Sequence, residues 1–284
     1  MLFTNSFKVF MTKINLRRLN VIAKFTFKHN IKKSSYWSGL LWPGSVLVMI
    51  LAFGISPDVN TNTLVFSNFP RTLSIGMAVF VLLFSLLLIP ITGNEIENDR
   101  SSKINEFLWV ISRSEDQFSG RLLGVLYLLI ASLGLYIISF SFLMTTNKLL
   151  FSLMTASYSY FVNWHTFLLI LLMLQIFGWI LLLTAHISIY IKNHSHLLQA
   201  LTPVYVYIMI SIFLSFVTLG HFSSFKLLTA LIFPVWSQII SSQLVFYHRD
   251  DTFFLFISTV LQTILLVGYF WIVKQKYQKA AIMD

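Results

Sequence analysis

Histidines, serines and a few acids are the only residues here that could activate a nucleophile or hold a metal. The sequence has no cysteine, which removes disulfides, thiolate zinc sites and thiol nucleophiles together. His194 and His196 flank Ser195, but two imidazoles with no third histidine or acid nearby make an incomplete metal site. His165, His186 and His221 lie at the ends of apolar segments, where a half-solvated structural role is the simpler reading. No H-E-x-x-H pair is present for a zinc protease. No acidic side chain sits inside an apolar segment to orient a serine–histidine triad. The phosphate-binding pattern Gly-x-x-x-x-Gly-Lys followed by Ser or Thr is also missing. The sequence therefore predicts a non-enzymatic protein with no catalytic residue, no metal and no directly bound cofactor. Energy for any uphill movement would have to enter through a partner.

The elements that carry these residues are apolar. Hydrophobic residues make up 57% of the 284 positions and charged ones 11%, too few to clothe a soluble exterior. The formal net charge of +10 would suggest nucleic acid in a soluble protein. Here Lys and Arg cluster beside apolar segments, where they face anionic lipid and set orientation, so no nucleic-acid partner is expected. The first apolar run comes late and is too long for a signal peptide, so it is expected to remain as a span.

The fold expected is an all-α integral membrane protein with six transmembrane helices. Residues 1–35 form a basic cytoplasmic segment with an amphipathic interfacial helix. Phe10, Ile14, Val21 and Phe25 share one face, and Lys13, Arg17, Asn20, Lys24 and Lys28 another. Residues 36–284 form one transmembrane domain, with spans at about 36–55, 72–92, 122–145, 163–191, 197–220 and 252–273. A polar loop at 56–71, with Pro57 and Pro70 as breakers, separates the first two spans.

Residues 227–247 are long enough to cross, but they contain Pro234, Ser237, Gln238, Ser241, Ser242 and Gln243. Charge decides the matter. If this segment does not cross, both termini lie on one side. Of the 20 lysines and arginines, only Arg71, Lys148, Lys226 and Arg249 then lie on the other. The positive-inside rule favours that arrangement. The segment is accordingly expected to be re-entrant from the outer side, broken near Pro234, with Ser237, Gln238, Ser241 and Gln243 facing protein, water or a pathway.

The stretch between the second and third spans carries the strongest signal. Ser101 or Ser102 can cap a helix, and Ile104, Phe107, Leu108 and Ile111 then fall on one apolar face. Ser114-Glu115-Asp116-Gln117 fits a capping box for the next helix. Acidic residues outnumber basic ones around this short helix, so a protein groove suits it better than anionic headgroups.

With these residues in hand, the sequence resembles the membrane subunit of an ABC transporter of the ABC-2 type. That family carries an inner loop of the form E-x-x-x-G-T-x-x-x-L-L, then a small-Pro step and a Gly-Lys entering the third span. Glu97 matches the acidic position, and Ser101-Ser102 lies near the Gly-Thr position. Glu106-Phe107-Leu108 stands for the Leu-Leu segment, Ser112-Arg113 for the small-Pro step and Gly120-Arg121 for Gly-Lys. Gly-Thr and the proline themselves are absent. The re-entrant segment at Pro234 also matches.

The resemblance implies a coupling helix with Glu97, Ile104, Glu106, Phe107, Leu108 and Ile111 against a separate ATPase subunit, through which ATP and Mg act. It implies pairing with a second permease copy or a homologous permease, contact with membrane lipids, and substrate export. Location in a bacterial cell membrane with cytoplasmic termini goes with it. A non-transporting membrane protein, such as an immunity or assembly factor, is the main alternative. A membrane-embedded enzyme would need a charged or metal-binding cluster near a span end.

Overall fold

The computed structural model describes residues 16–41, 61–101, 114–146, 164–191, 194–218, 231–246 and 252–283. Among these every regular element is helical. Helix α1 spans Leu16–Ile31, followed after a turn by α2 at residues 34–41. Helix α3 spans Thr61–Ser101, α4 Ser114–Thr146 and α5 Trp164–Ser188. A single 3-10 turn at His194–His196 leads into α6, Leu197–Thr218. The short α7, Trp236–Phe246, precedes α8, Thr252–Met283.

Five of these helices are long and apolar enough to cross a bilayer, through Ser74–Asn98, Ser114–Ser139, Phe167–Ser188, Leu197–Val217 and Leu255–Ala280. Each exceeds the roughly 20 residues that cover about 30 Å of hydrocarbon. Large apolar side chains such as Ile138, Phe142, Phe167, Phe213 and Ile264 remain exposed on the bundle. An outward apolar surface of this kind belongs in lipid. Of the expected first span, 36–55, only the part through residue 41 is described, and it is helical.

Several boundaries differ from those expected. Helix α3 starts at Thr61 and runs through Pro70, inside the expected loop at 56–71. Proline removes one helical donor, yet its fixed φ is a helical one, so a single proline need not end a helix. At its other end α3 continues through the polar stretch to Ser101, so Glu95 and Glu97 stand on the span's own helix. Both side chains are buried there. Helix α4 begins at Ser114, with Glu115 and Asp116 in its first turn, where carboxylates favour a helix N-terminus. Helix α8 extends well past the expected end at 273, to Met283.

Helix α1 lies chiefly against α4. Its protein-facing side is Ala23, Thr26 and Asn30, whereas Val21 and Phe25 are exposed. The expected apolar face thus points away from the protein. Glycines on α4 explain the choice. A Cβ at Gly120 would lie 2.8 Å from the Ile22 side chain, and one at Gly124 would lie 2.8 Å from the Ala23 carbonyl and 2.6 Å from Thr26 Cβ. Two glycines four residues apart let the helix backbones approach closely, and only small partners fit between them. Phe10 and Ile14 lie outside the described residues.

The core joins α3, α4, α5 and α6 around residues such as Leu88, Leu129, Ile180 and Leu201. Phe84 and Phe177 pack with ring centroids 5.8 Å apart. A smaller cluster joins Leu168 and Leu172 of α5, Ile240 and Leu244 of α7, and Leu255 of α8.

Candidate functional site

Two regions concentrate polar side chains, one at an end of the bundle and one in its interior. The end is defined by contacts between helix termini. Glu95 on α3 is 4% exposed at its side chain and meets Arg121 of α4 at 2.8 Å. The Asn30 amide of α1 donates to the other Glu95 oxygen at 2.7 Å, and Lys33 stands 3.8 Å from it. Arg121 also donates to Thr26 at 3.1 Å and sits over the Phe25 ring. Asn30, Lys33 and Arg121 therefore converge on one buried carboxylate. Such a pair holds because added hydrogen bonds satisfy the charges left by desolvation.

Two further contacts lie at the same end. Lys274 of α8 bridges to Glu115 of α4 at 2.9 Å. Lys276 reaches His186 Nε2 of α5 at 2.8 Å, while His186 Nδ1 bonds the Tyr269 hydroxyl. With Lys276 donating, Nε2 is the acceptor and the ring is the neutral Nδ1–H tautomer. The ion pairs among the described residues all gather here.

The segment joining Ser101 to Ser114 leaves from and returns to this charged end. Ile104, Glu106, Phe107, Leu108 and Ile111 lie in it, outside the described residues. Glu97 is described: it stands near the end of α3 and is fully buried. Glu95, not Glu97, is the carboxylate that Arg121 contacts at 2.8 Å.

The second region surrounds α7. The helical residues 231–232 give way to a turn at 233–235 before α7 begins. Val235 takes a φ of 67°, a left-handed conformation that is a true outlier for a β-branched residue. Backbone bonds hold the turn, from Trp236 N–H to Pro234 O and from Ser237 N–H to Phe233 O. The Tyr207 hydroxyl of α6 donates to the Pro234 carbonyl as well. Tyr207 is midway along its span, so the turn sits deep in the bundle. From it α7 runs towards Leu168 and Leu255, the end of the bundle opposite the charges. At 11 residues, α7 rises about 16 Å, half of what a span needs.

Ser237, Gln238, Ser241, Ser242 and Gln243 are all fully buried. Ser237 and Ser241 bond Ser258 of α8 at 2.8 and 3.0 Å. Gln238 donates to Gln262 at 3.3 Å, and Gln262 donates to the Leu231 carbonyl at 2.6 Å. Beside them Gln175 of α5 donates to Thr259 O and Thr263 Oγ1. The structure thus unites the residues expected around Pro234 and adds partners from α5 and α8. The signal that could have found those partners is the spacing of Ser258 and Gln262, with Thr259 and Thr263, four residues apart on one face of an otherwise apolar span.

Among the described residues no group of three or more His, Cys, Asp or Glu could hold a metal ion. His196 is exposed on its short turn. Comparison with protein-family models, with curated proteins and with solved structures finds no match. Fold and sites together define an all-helical, multi-pass membrane protein. Among the described residues the ion pairs gather at one end, and a short polar helix is embedded among the spans.

Proposed function

We propose that this chain is the membrane subunit of an ABC transporter of the ABC-2 type, moving a substrate outward with ATP hydrolysed by a separate subunit. Two such subunits, identical or homologous, would pair in a bacterial cell membrane with the charged end and both termini in the cytoplasm. The observation that carries this reading is the α3–α4 junction. The ends of α3 and α4 are tied together by Glu95 and Arg121, with α1 and Lys33 fastened to the same carboxylate. A push delivered to the segment between Ser101 and Ser114 would reach three helices as one body. Coupling of ATP hydrolysis to rearranged spans requires such a connection, since rigid elements with shared contacts carry displacement.

Charge supports the orientation, because Lys33, Arg121, Lys274 and Lys276 gather at one end and basic residues mark the cytoplasmic side. The buried polar element around α7 supports a membrane protein with an internal pathway, since polar groups at membrane depth mark functional sites. The test is affinity purification of the tagged chain from its native membrane after mild crosslinking, with co-purifying proteins identified by mass spectrometry. A nucleotide-binding subunit is expected in stoichiometric amount. Recovery of the chain without any ATPase would favour a non-transporting immunity or assembly protein.

A further inference from the structure

Basic side chains withdrawn from solvent at the charged end are matched by carboxylates, with one exception. Lys33 and Arg121 face Glu95, and Lys274 faces Glu115. Lys276, half-buried on α8, has no carboxylate partner among the described residues. Its ammonium meets His186 Nε2 at 2.8 Å and stands 5.8 Å from the centre of the Tyr190 ring. Neither neighbour supplies negative charge, since His186 is neutral and is held on its other side by the Tyr269 hydroxyl. An ammonium carries three donors, so hydrogen-bonding capacity remains after His186 is served. A cation drawn out of water is disfavoured until an opposite charge reaches it.

The surroundings of Lys276 say what that charge belongs to. Tyr190 follows the end of α5 and is exposed, and its hydroxyl has no hydrogen-bond partner among the described residues. Lys279 stands three residues after Lys276 on the same side of α8. It too is exposed and unpaired among the described residues. Four, eight and eleven residues before Lys276, α8 carries Ile272, Gly268 and Leu265 on that side of the helix. Ile272 and Leu265 are exposed, and a Cβ at Gly268 would meet nothing within 4 Å. An open apolar strip within a span therefore leads to two lysines and a phenol at its charged end. Bilayer surrounds the strip, so what lies on it is hydrocarbon, and aromatic and basic side chains at a span end meet headgroups.

We propose that this face of α8, with Tyr190, holds one anionic phospholipid. The phosphate accepts hydrogen bonds from Lys276, Lys279 and the Tyr190 hydroxyl, and an acyl chain lies along Ile272, Gly268 and Leu265. Two lysines facing one phosphate favour a headgroup of net negative charge over a zwitterionic one. The lipid supplies the counter-charge that Lys276 lacks. This site requires only that the charged end lies at a headgroup layer, and it does not depend on an ATPase partner.

The test is native mass spectrometry of the full chain in detergent, titrated with dioleoylphosphatidylglycerol or dioleoylphosphatidylcholine. The wild type should retain one phosphatidylglycerol at least about tenfold more tightly than phosphatidylcholine. Lys276→Gln with Lys279→Gln should weaken phosphatidylglycerol at least about tenfold, to the level of phosphatidylcholine. Glutamine at 276 still offers a donor to His186, and thermal unfolding checks that the fold is kept. Lys24→Gln with Lys28→Gln removes the same charge from exposed positions of α1 and should leave the affinity unchanged. Lys276→Arg with Lys279→Arg should preserve binding. Inorganic phosphate at constant ionic strength should not displace the lipid.

Equal loss in the α1 and α8 double variants would reduce the binding to diffuse attraction by total charge and overturn the site. Equal affinity for the two lipids would overturn the selection of an anionic headgroup. Displacement by inorganic phosphate would overturn the lipid assignment in favour of a free-anion site. Should Lys276→Gln unfold the chain, Lys279→Gln alone decides the matter, because that side chain is exposed and unbonded among the described residues. It should weaken phosphatidylglycerol by about fivefold, and unchanged affinity would overturn the proposal.

Discussion

Arg121 and Glu95 meet at 2.8 Å where the start of α4 passes the end of α3. Both side chains are largely withdrawn from solvent, at 13% and 4% exposure. Asn30 and Thr26 of α1 complete the hydrogen bonds. Removing one partner of such a pair leaves the other buried and unpaired, which costs on the order of 3 kcal/mol. Glu95→Ala should therefore lower the midpoint of thermal unfolding in detergent, and Arg121→Gln should do so in the same direction. The double variant should lose less than the sum of the two, because the residues share one interaction. Strict additivity would show that the pair contributes nothing jointly.

Contact between α1 and α4 depends on glycine. A Cβ at Gly124 would press on the Ala23 carbonyl, a backbone atom that cannot rotate away. Gly124→Val is expected to destabilise the protein by about 2 kcal/mol through overpacking and to expose α1 to limited proteolysis at Lys24 or Lys28. Gly134, whose Cβ position meets nothing within 4 Å, supplies the comparison. Gly134→Val should leave the digestion pattern unchanged. Identical digestion of both variants would rule out close packing as the reason α1 docks.

Much of the fold is legible in the sequence because hydrophobic length is a strong signal. Helix α5 begins at Trp164 and α6 at Leu197, each within one residue of the start set by hydropathy alone. Legibility fails where tertiary contacts override composition. The polar run from Gly93 reads as a loop, yet Glu95 and Glu97 are buried and the helix carries on through them. Val21 and Phe25, the apolar face of the expected interfacial helix, stay exposed, but the side of α1 that meets the protein, Ala23 and Thr26, is selected by glycines on a distant helix. No local pattern encodes a partner about a hundred residues away. Pro234 and the polar residues after it are visible in the sequence, whereas their pairing with Ser258 and Gln262 of α8 needs the three-dimensional structure.

Orientation follows from the charged end. Lys274 and Lys276 of α8 lie beside Glu115 and His186, so the C-terminus shares an end with Arg121 and Lys33. A reporter fused after Asp284 should show cytoplasmic activity, as should one fused before Met1. An external signal from the C-terminal fusion would break the six-span arrangement and the coupling scheme with it.

The most direct test of the coupling scheme is ATPase capture by the tagged wild-type chain and its Phe107→Asp variant, with membrane insertion measured in parallel. Ile104, Phe107, Leu108 and Ile111 supply the apolar face proposed to seat in the ATPase, with Glu106 at its rim; Glu97, buried on α3, is not available for that contact. Apolar anchors dominate such interfaces and rim charges tune register. Phe107→Ala should weaken association by on the order of 2 kcal/mol, and Phe107→Asp by more, since it also buries an unpaired charge. The account predicts normal insertion of Phe107→Asp with loss of the captured ATPase. Normal insertion with undiminished capture and transport would contradict it.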